Sequence, residues 1–424
     1  MSPWRWVPSL YFAQGIPYVV VMTLSVVMYK NLDISNTDIA LYTSWLYLPW
    51  IIKPLWSPLV DMLRQKRWWI VLLQAVIGAS LALVALAVPT THFFQLTLAL
   101  FWLMAFSSAT HDIAADGFYM LALPERTQAA FVGVRSTFYR LAMIAGQGGL
   151  VVLAGTLRDA SGSFTQAWSV VFLVLGAMFM GAALLHRFVL PRPAADRVAP
   201  RSAAFVAEFL AVFAAFFRKR EIARILAFLL LYRFAEAQLL KLAAPFLLDP
   251  RSAGGLGLTT QQLGFVYGGF GVAALTVGGI LGGLYIARVG LQRALWPLLL
   301  AMHVPNLAYV ALAVWLPQSL WLVGGAVAIE QFGYGFGFTA FMVYMLMVAS
   351  QDAAHRTAHY AICTGFMALG MMLPGMAAGW LQTQLGYPAF FVWVCVATLP
   401  SFAAAAWVRI EPEFGRRTAL PTLG

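Results

Sequence analysis

The sequence contains little charge, few cysteines and none of the common catalytic motifs. Only 10% of its 424 residues are charged, against about 25% in soluble domains, whereas 62% are apolar. The two cysteines, Cys363 and Cys395, lie in apolar stretches without metal-type spacing, so neither a disulfide nor a zinc site is expected. Because H-E-x-x-H, G-x-S-x-G and G-x-x-x-x-G-K are also absent, we expect neither an enzyme nor a cofactor.

Apolar runs take the place of the missing charge. Each is close to the length that crosses a membrane as a helix, about 20 residues. The first follows Arg5 and is too long for a signal-peptide core, so we interpret it as a retained first helix. Six runs precede a long polar break and six follow it, at about 5–28, 39–60, 68–88, 93–122, 129–155, 166–188, 221–248, 260–287, 294–315, 320–349, 357–380 and 388–408.

The polar break divides the chain into three parts. We predict a six-helix half over 1–188, a linker over 189–220 and a second six-helix half over 221–424. Within the linker, Ala203–Phe217 is apolar apart from Glu208 but only 15 residues long. It is short for a span, and an interfacial helix fits it better.

The membrane topology accounts for the net charge of +11, because most basic residues lie on one side of the membrane. With twelve spans and a cytoplasmic N-terminus, 18 of the 27 Lys and Arg residues fall on the cytoplasmic side. The remaining nine lie outside (Lys30, Arg158, Arg251) or within spans (Lys53, Arg135, Arg140, Arg224, Arg233, Lys241). This asymmetry is typical of membrane proteins, and it removes nucleic acid as the reason for the basic charge.

Two six-helix halves joined by a basic cytoplasmic loop form the plan of the major facilitator superfamily. In that plan a small molecule binds between the halves near the middle of the bilayer. We therefore predict an all-α, twelve-helix integral membrane bundle with two pseudo-symmetric halves. Both termini should be cytoplasmic, and the expected partners are the lipid bilayer, protons and a small-molecule substrate. We expect a monomer.

Four acidic residues lie within the spans, where an ionisable group is costly unless it is paired or hydrated. Asp112 and Asp116 are four residues apart and share one face of the fourth span. Two carboxylates on one face suit a proton carrier, and the alternative is a set of structural ion-pair partners for nearby arginines. Glu236 and Glu330, in the seventh and tenth spans, are further proton-site candidates.

Basic and polar residues within the spans are candidates for binding a substrate. Arg140 is interpreted as an anion ligand or as a partner of the fourth-span carboxylates. Arg233 precedes Glu236 by three residues, so the two are expected to pair within one helix. Arg135 is expected to gate the cytoplasmic end or to snorkel, and Lys53 is expected to snorkel. The full set of substrate candidates is Gln14, Tyr139, Arg140, Tyr232, Arg233 and Lys241.

A histidine pair opens the eleventh span. His355 and His359 are four residues apart, and Asp352 precedes His355 by three. This spacing places possible metal ligands on one face. Since no further ligand accompanies them, a polar cytoplasmic helix start is the simpler interpretation, and we expect no metal.

Several motifs resemble those of one transporter family. They are Lys53-Pro54-Leu55-Trp56-Ser57-Pro58 with Asp61, Ser108-Ala109-Thr110-His111-Asp112-Ile113 with Asp116, Tyr139-Arg140-Leu141, Tyr232-Arg233 with Glu236, and Glu330 with its following glycines. Together they resemble the muropeptide permease (AmpG) family of the major facilitator superfamily, and the similarity extends over nearly the whole chain.

The resemblance implies a proton symporter that imports anhydro-muropeptides across the bacterial inner membrane by alternating access. It also implies a cytoplasmic gate formed by Asp61, Arg64 and Arg67. Two alternatives remain open at this point. One is a transporter of another anionic or amphiphilic solute, such as a siderophore or a coenzyme A ester. The other is a non-transporting membrane sensor.

Overall fold

The computed structural model describes residues 2–198, 205–352 and 355–416, and within these ranges regular structure is helical, without strands. The helices of the first half and their bounds are α1 (Val7–Val19), α2 (Ser25–Asn31), α3 (Asn36–Trp45), α4 (Leu48–Leu63), α5 (Lys66–Ala87), α6 (Phe93–Ala122), α7 (Glu125–Ile144), α8 (Val151–Ser161) and α9 (Phe164–Val189).

The linker contains α10 (Phe205–Phe217), which agrees with the helix predicted there; Ala203 and its neighbour fall outside the described residues. The second half consists of α11 (Ile222–Leu231), α12 (Phe234–Leu248), α13 (Thr260–Leu263), α14 (Val272–Val289), α15 (Leu291–His303), α16 (Leu307–Trp315), α17 (Leu320–Ser350), α18 (Arg356–Val396) and α19 (Leu399–Trp407). Short 3₁₀ turns lie at Pro3–Arg5, Arg251–Ala253 and Val304–Asn306.

Nine helical stretches in the described ranges are long and apolar enough to cross a membrane. The second and seventh expected spans are not among the nine because each is broken, one between α3 and α4 and the other between α11 and α12. The eleventh and twelfth form one stretch, Arg356–Trp407, interrupted at Gly386, where φ is 73°. All twelve expected crossings are thus helical.

The chain reverses direction at Gly386. Before the reversal, His359 lies close to the linker helix, where its Nε2 atom is 3.3 Å from the carbonyl oxygen of Val212. After it, Arg409 pairs with Glu221 at the start of α11, with 2.5 Å between the charged atoms. Both ends of the α18–α19 stretch therefore lie at the end of the bundle that carries the linker. We call this end the linker face and the opposite end the distal face.

Three π-helical segments interrupt the spans: Val20–Leu24, Ala145–Leu150 and Gly264–Gly271. The last two pack against each other across the junction between the halves. At this contact Gly268 is so close to Gln147 that an added Cβ would lie 2.2 Å from its backbone carbonyl oxygen. Small residues permit such close helix approach in a membrane, and π segments are frequent at functional sites.

The two halves meet through polar contacts at the distal face. Lys30 forms an ion pair with Asp249 across the junction, with 2.5 Å between nitrogen and oxygen. Asn36 donates hydrogen bonds to Gln382 and Tyr387, both at 2.9 Å. A hydrogen bond of 2.5 Å from the Tyr387 hydroxyl to Asp249 completes the cluster. In this structure the distal ends of the halves are therefore closed against each other.

Candidate substrate and proton site

Asp112 lies in the middle of α6, facing α4. Its Oδ2 atom accepts a hydrogen bond of 3.2 Å from the Trp50 indole and lies 4.0 Å from the Lys53 ammonium. Lys53 therefore turns towards a carboxylate, whereas we had expected it to snorkel to the cytoplasmic end. The side chain of Gln14 in α1 also lies close to Asp112. One indole, one amide and one cation thus surround this carboxylate.

Asp116, one turn closer to the linker face, has a different cation. Arg135 of α7 approaches it to 2.7 Å, and the Tyr11 hydroxyl donates a hydrogen bond of 3.2 Å. The guanidinium of Arg135 also stacks over the Tyr11 ring at 4.4 Å. The Asp116 side chain remains 45% exposed. Because a lipid-facing carboxylate is nearly excluded, this exposed area faces an aqueous space.

The charged centre of the second half lies at the break between α11 and α12. Arg233 precedes α12 as its N-cap residue, with non-helical backbone angles. Its guanidinium donates a hydrogen bond to the Tyr334 hydroxyl and stacks over the Phe338 ring at 4.7 Å. In the described structure Arg233 and Glu236 do not form the ion pair that we expected within one helix. The break before α12 turns the Arg233 side chain towards α17 instead.

Glu236 and Glu330 are fully buried in the second half. Both carboxylate oxygens of Glu236 are without a hydrogen-bond partner in the described structure. Glu330 accepts one hydrogen bond of 2.9 Å from Gln331, while its other oxygen has none. In a medium of low dielectric constant, a carboxylate without a cationic partner is far more stable in its neutral form.

Two cations reach across the junction between the halves. Lys241 of α12 donates a hydrogen bond of 2.9 Å to Thr43 of α3. Arg140 of α7 donates one of 3.3 Å to the Thr276 carbonyl of α14. The structure thus gives Arg140 a partner in the other half rather than the fourth-span carboxylates. Tyr18 of α1 lies near both Asp112 of the first half and Arg233 of the second.

Two other substrate candidates occupy different positions. Tyr139 lies within electrostatic range of Asp112 and Asp116, close to the carboxylates of the first half. Tyr232 is fully buried, donates a hydrogen bond of 2.9 Å to the Gly337 carbonyl and stacks on Phe341. The structure therefore assigns Tyr232 to packing between α11 and α17.

The expected gate residues lie at the linker face. The side chain of Asp61 is outside the described part of the structure. Arg64 stacks over Trp68 at 5.7 Å. Arg67 donates hydrogen bonds to the carbonyl oxygens of Arg187 near the end of α9 and of Leu190 directly after it. In this state Arg67 thus joins elements of the first half.

Sequence reasoning missed Asp196 in this region. The two carboxylate oxygens of Asp196 accept hydrogen bonds from the backbone amides of Lys66 and Arg67, at 2.8 and 3.1 Å. It thereby fastens the beginning of the linker to the start of α5. An isolated acid in a strongly basic linker was the available signal. Trp50 and Tyr11, which bind the α6 carboxylates, gave no comparable signal because aromatic residues are common throughout the spans.

Comparison with known proteins identifies the family. A match to the family model described as Major Facilitator Superfamily spans residues 9–357. The chain belongs to the major facilitator superfamily. Over 433 residues it is 24% identical to the anhydromuropeptide permease of Escherichia coli (strain K12), covering 97% of this chain and 82% of that protein. It is 25% identical over 409 residues to putative transporter AmpG 4 of Rickettsia conorii, covering 91% and 92%.

Solved structures support the same fold. The nucleoside transporter NupG aligns with a TM-score of 0.70 over 96% of this chain and 98% of that one, at 16% identity. The predicted superfamily bundle and the resemblance to AmpG proteins are thereby confirmed. This member of the superfamily is a multi-pass membrane transporter with a small-molecule substrate, rather than an enzyme.

Proposed function

We propose that this transporter imports anhydro-muropeptides into the bacterial cytoplasm, driven by the proton gradient across the inner membrane. The substrate follows from the relatives named as an anhydromuropeptide permease and an AmpG transporter, which align over most of their length. The linker face is cytoplasmic in this proposal because the basic residues concentrate there. Both termini then lie in the cytoplasm.

The burial of Glu236 and Glu330 is the observation that carries proton coupling. Both are fully buried, and Glu236 has no hydrogen-bond partner for either oxygen. Burial of these two carboxyl groups is explained if both are protonated in this state. Asp112 and Asp116 have cationic partners and partial exposure instead. Among the four proposed proton-coupling residues, the two glutamates therefore represent the loaded sites and the two aspartates the sites that exchange with water.

The cations near the junction suit an anionic ligand that also carries apolar and polar groups. Arg233, Arg140 and Lys241 are proposed to bind substrate carboxylates, and Gln14 and Tyr139 to contact its polar groups. Each cation now bonds to neutral oxygen atoms. A substrate carboxylate would replace each neutral acceptor with a charged one, which adds the attraction between opposite charges to the hydrogen bond.

Alternating access supplies the transport cycle. In this structure the distal face is closed by contacts such as Lys30–Asp249, while Asp116 retains access to an aqueous space. We infer that this is a state open towards the cytoplasm. In the opposite state the distal contacts would break, and Asp61, Arg64 and Arg67 are proposed to close the linker face.

Uptake by reconstituted protein tests the proposal. Purified transporter in proteoliposomes should accumulate labelled anhydro-muropeptide when the lumen is alkaline relative to the bath, and only equilibrate it without a gradient. Empty liposomes provide the background. Absence of uptake in both conditions would reject the substrate. Uptake to the same final level with and without the gradient would reject proton coupling while leaving the substrate in place.

A further inference from the structure

A cluster of possible metal ligands lies at the linker face, away from the proposed transport site. Asp352 follows the end of α17, and His355 and His359 lie at the start of α18. Each offers one ligand atom, and these atoms all lie within 4.8 Å of one another. The linker helix α10 packs against this region through Phe216, whose ring contacts that of His359 at 5.4 Å.

The hydrogen bonding of His359 leaves one nitrogen directed at no protein acceptor or donor. Its Nε2 atom lies 3.3 Å from the Val212 carbonyl, which can only accept, so Nε2 carries the proton. The Nδ1 atom therefore has a lone pair, and it is buried without a hydrogen-bond partner in the described structure. The whole residue is 0% exposed. Metal-binding histidines commonly donate their other N–H to a backbone carbonyl in this way.

The other two residues already approach the spacing of ligands on one ion. Nδ1 of His355 lies 2.9 Å from Oδ2 of Asp352. Two ligand atoms on a tetrahedral zinc ion are about 3.4 Å apart, given bond lengths of roughly 2.0–2.1 Å. The three ligand atoms, which all lie within 4.8 Å of one another, would move to that separation when the ion binds. Imidazole and carboxylate together are ligands that zinc and similar divalent ions accept.

An ion can reach this position from water. Asp352 also lines a cavity of about 1000 Å³ at the linker face, together with Gln351 and Glu411. Lys219 and Arg220 line the same cavity. Their positive charge opposes the entry of a cation, so the three ligands have to supply the binding energy through direct coordination.

We propose that Asp352, His355 and His359 bind one divalent transition-metal ion of the zinc type, with water in the remaining coordination position. This differs from the expectation drawn from sequence, where the three residues had no visible support. The structure supplies two reasons for the change: the buried, unpartnered Nδ1 of His359 and the opening of Asp352 to the cavity. The ion would join the end of α17 to the start of α18.

Cobalt is the probe that tests the site, because tetrahedral Co²⁺ absorbs visible light whereas octahedral aqueous Co²⁺ absorbs it only weakly. Full-length protein without a polyhistidine tag, purified in detergent, should develop this absorption at one equivalent of Co²⁺. One equivalent of Zn²⁺ should abolish it. Calorimetric titration with Zn²⁺ gives the affinity. Loss of a ligand should weaken binding at least about tenfold, as even supporting residues of metal sites do.

The variants His355→Ala and Asp352→Asn probe ligands that are partly exposed and are expected to fold. His92→Ala, just before α6, changes a histidine far from the cluster and should bind as the unaltered protein does. Thermal unfolding of each variant checks that the fold is intact. Absence of the cobalt absorption, or an absorption that persists unchanged in both ligand variants, would overturn the proposal.

Discussion

At the scale of single residues, the acids within the membrane fall into two kinds. Asp112 and Asp116 each have a basic partner, at 4.0 and 2.7 Å respectively. Glu236 and Glu330 are buried, and neither forms an ion pair among the described residues. A paired carboxylate can remain charged, whereas a buried one without a partner is stable only when neutral. Substituting the neutral amide should therefore affect the two kinds differently.

The variants Glu236→Gln and Glu330→Gln should both keep the fold, and at least one of them should lose proton coupling. Glutamine resembles a protonated glutamate in shape and charge, so we expect melting temperatures close to that of the unaltered protein. Exchange of substrate between the two sides at equal concentration should continue. Accumulation driven by the proton gradient should fall to the equilibrium level in at least one of the two variants, as measured in proteoliposomes.

The variant Asp116→Asn provides the comparison for the two glutamine variants, because it neutralises a paired carboxylate. It leaves Arg135 without its ion-pair partner in a partly exposed position, so we expect a loss of stability of about 1 kcal/mol, visible as a lower melting temperature. Full gradient-driven accumulation in both glutamine variants would contradict the assignment of the loaded proton sites. A large loss of stability in those variants would show that the glutamates are charged in this state.

The sequence allowed the positions of these residues to be predicted but not their partners. Burial of a charge within a span follows from its position in an apolar run. The partner of Arg233, in contrast, is Tyr334, about 100 residues away, and the nearer Glu236 was the natural expectation. The choice depends on the break before α12, which changes the direction of the arginine. The residues Tyr232 and Arg233 show no pattern that predicts this break in the helix.

At the scale of elements, the junction between the halves depends on close backbone approach. The spans were predictable because each is a long apolar run, and α6 (Phe93–Ala122) begins and ends where that run does. The π-helical segments were not, because Ala145–Leu150 and Gly264–Gly271 read as ordinary glycine-containing helix. Their contact brings Gly268 against the backbone of Gln147. Glycine is required there because any side chain would meet main-chain atoms.

Gly268→Ala and Gly269→Ala form a matched pair that tests this contact. In Gly268→Ala the new methyl group would lie 2.2 Å from a carbonyl oxygen, whereas in Gly269→Ala its nearest neighbour is 4.0 Å away. We expect the first variant to lose transport at least about tenfold and the second to transport nearly as well as the unaltered protein, since helix propensity favours alanine. Equal uptake by both variants, measured at equal protein density, would contradict the role of the contact.

At the scale of the whole molecule, the two halves must separate at the distal face during transport. Thr37 of α3 and Thr383 of α18 belong to different halves, and their hydroxyl oxygens are 3.2 Å apart. This separation places two side chains within reach of a covalent bridge. The same face carries the cluster around Asp249, so polar contacts hold the halves together there beside the apolar packing that they share.

A double variant, Thr37→Cys with Thr383→Cys, should lock the distal face closed. In a background with Cys363→Ser and Cys395→Ser, mild oxidation should link the two new cysteines and abolish uptake. A reducing agent should restore it. Each single cysteine variant, oxidised in the same way, provides the control and should keep transporting. Undiminished uptake by fully linked protein would contradict opening at this face.

Asp249 is expected to hold that face closed, because it accepts hydrogen bonds from Tyr387 and Asn36 and pairs with Lys30. In Asp249→Asn the ion pair is lost, which at about 1.5–3 kcal/mol for a hydrogen bond to a charged group corresponds to a roughly tenfold or larger shift towards the distally open state. The rate of cross-linking between cysteines at positions 37 and 383 should fall accordingly. Asp33→Asn removes an exposed acid from the same face and should leave the rate unchanged. An equal rate in both variants would mean that other contacts, such as the π-helical junction, determine closure.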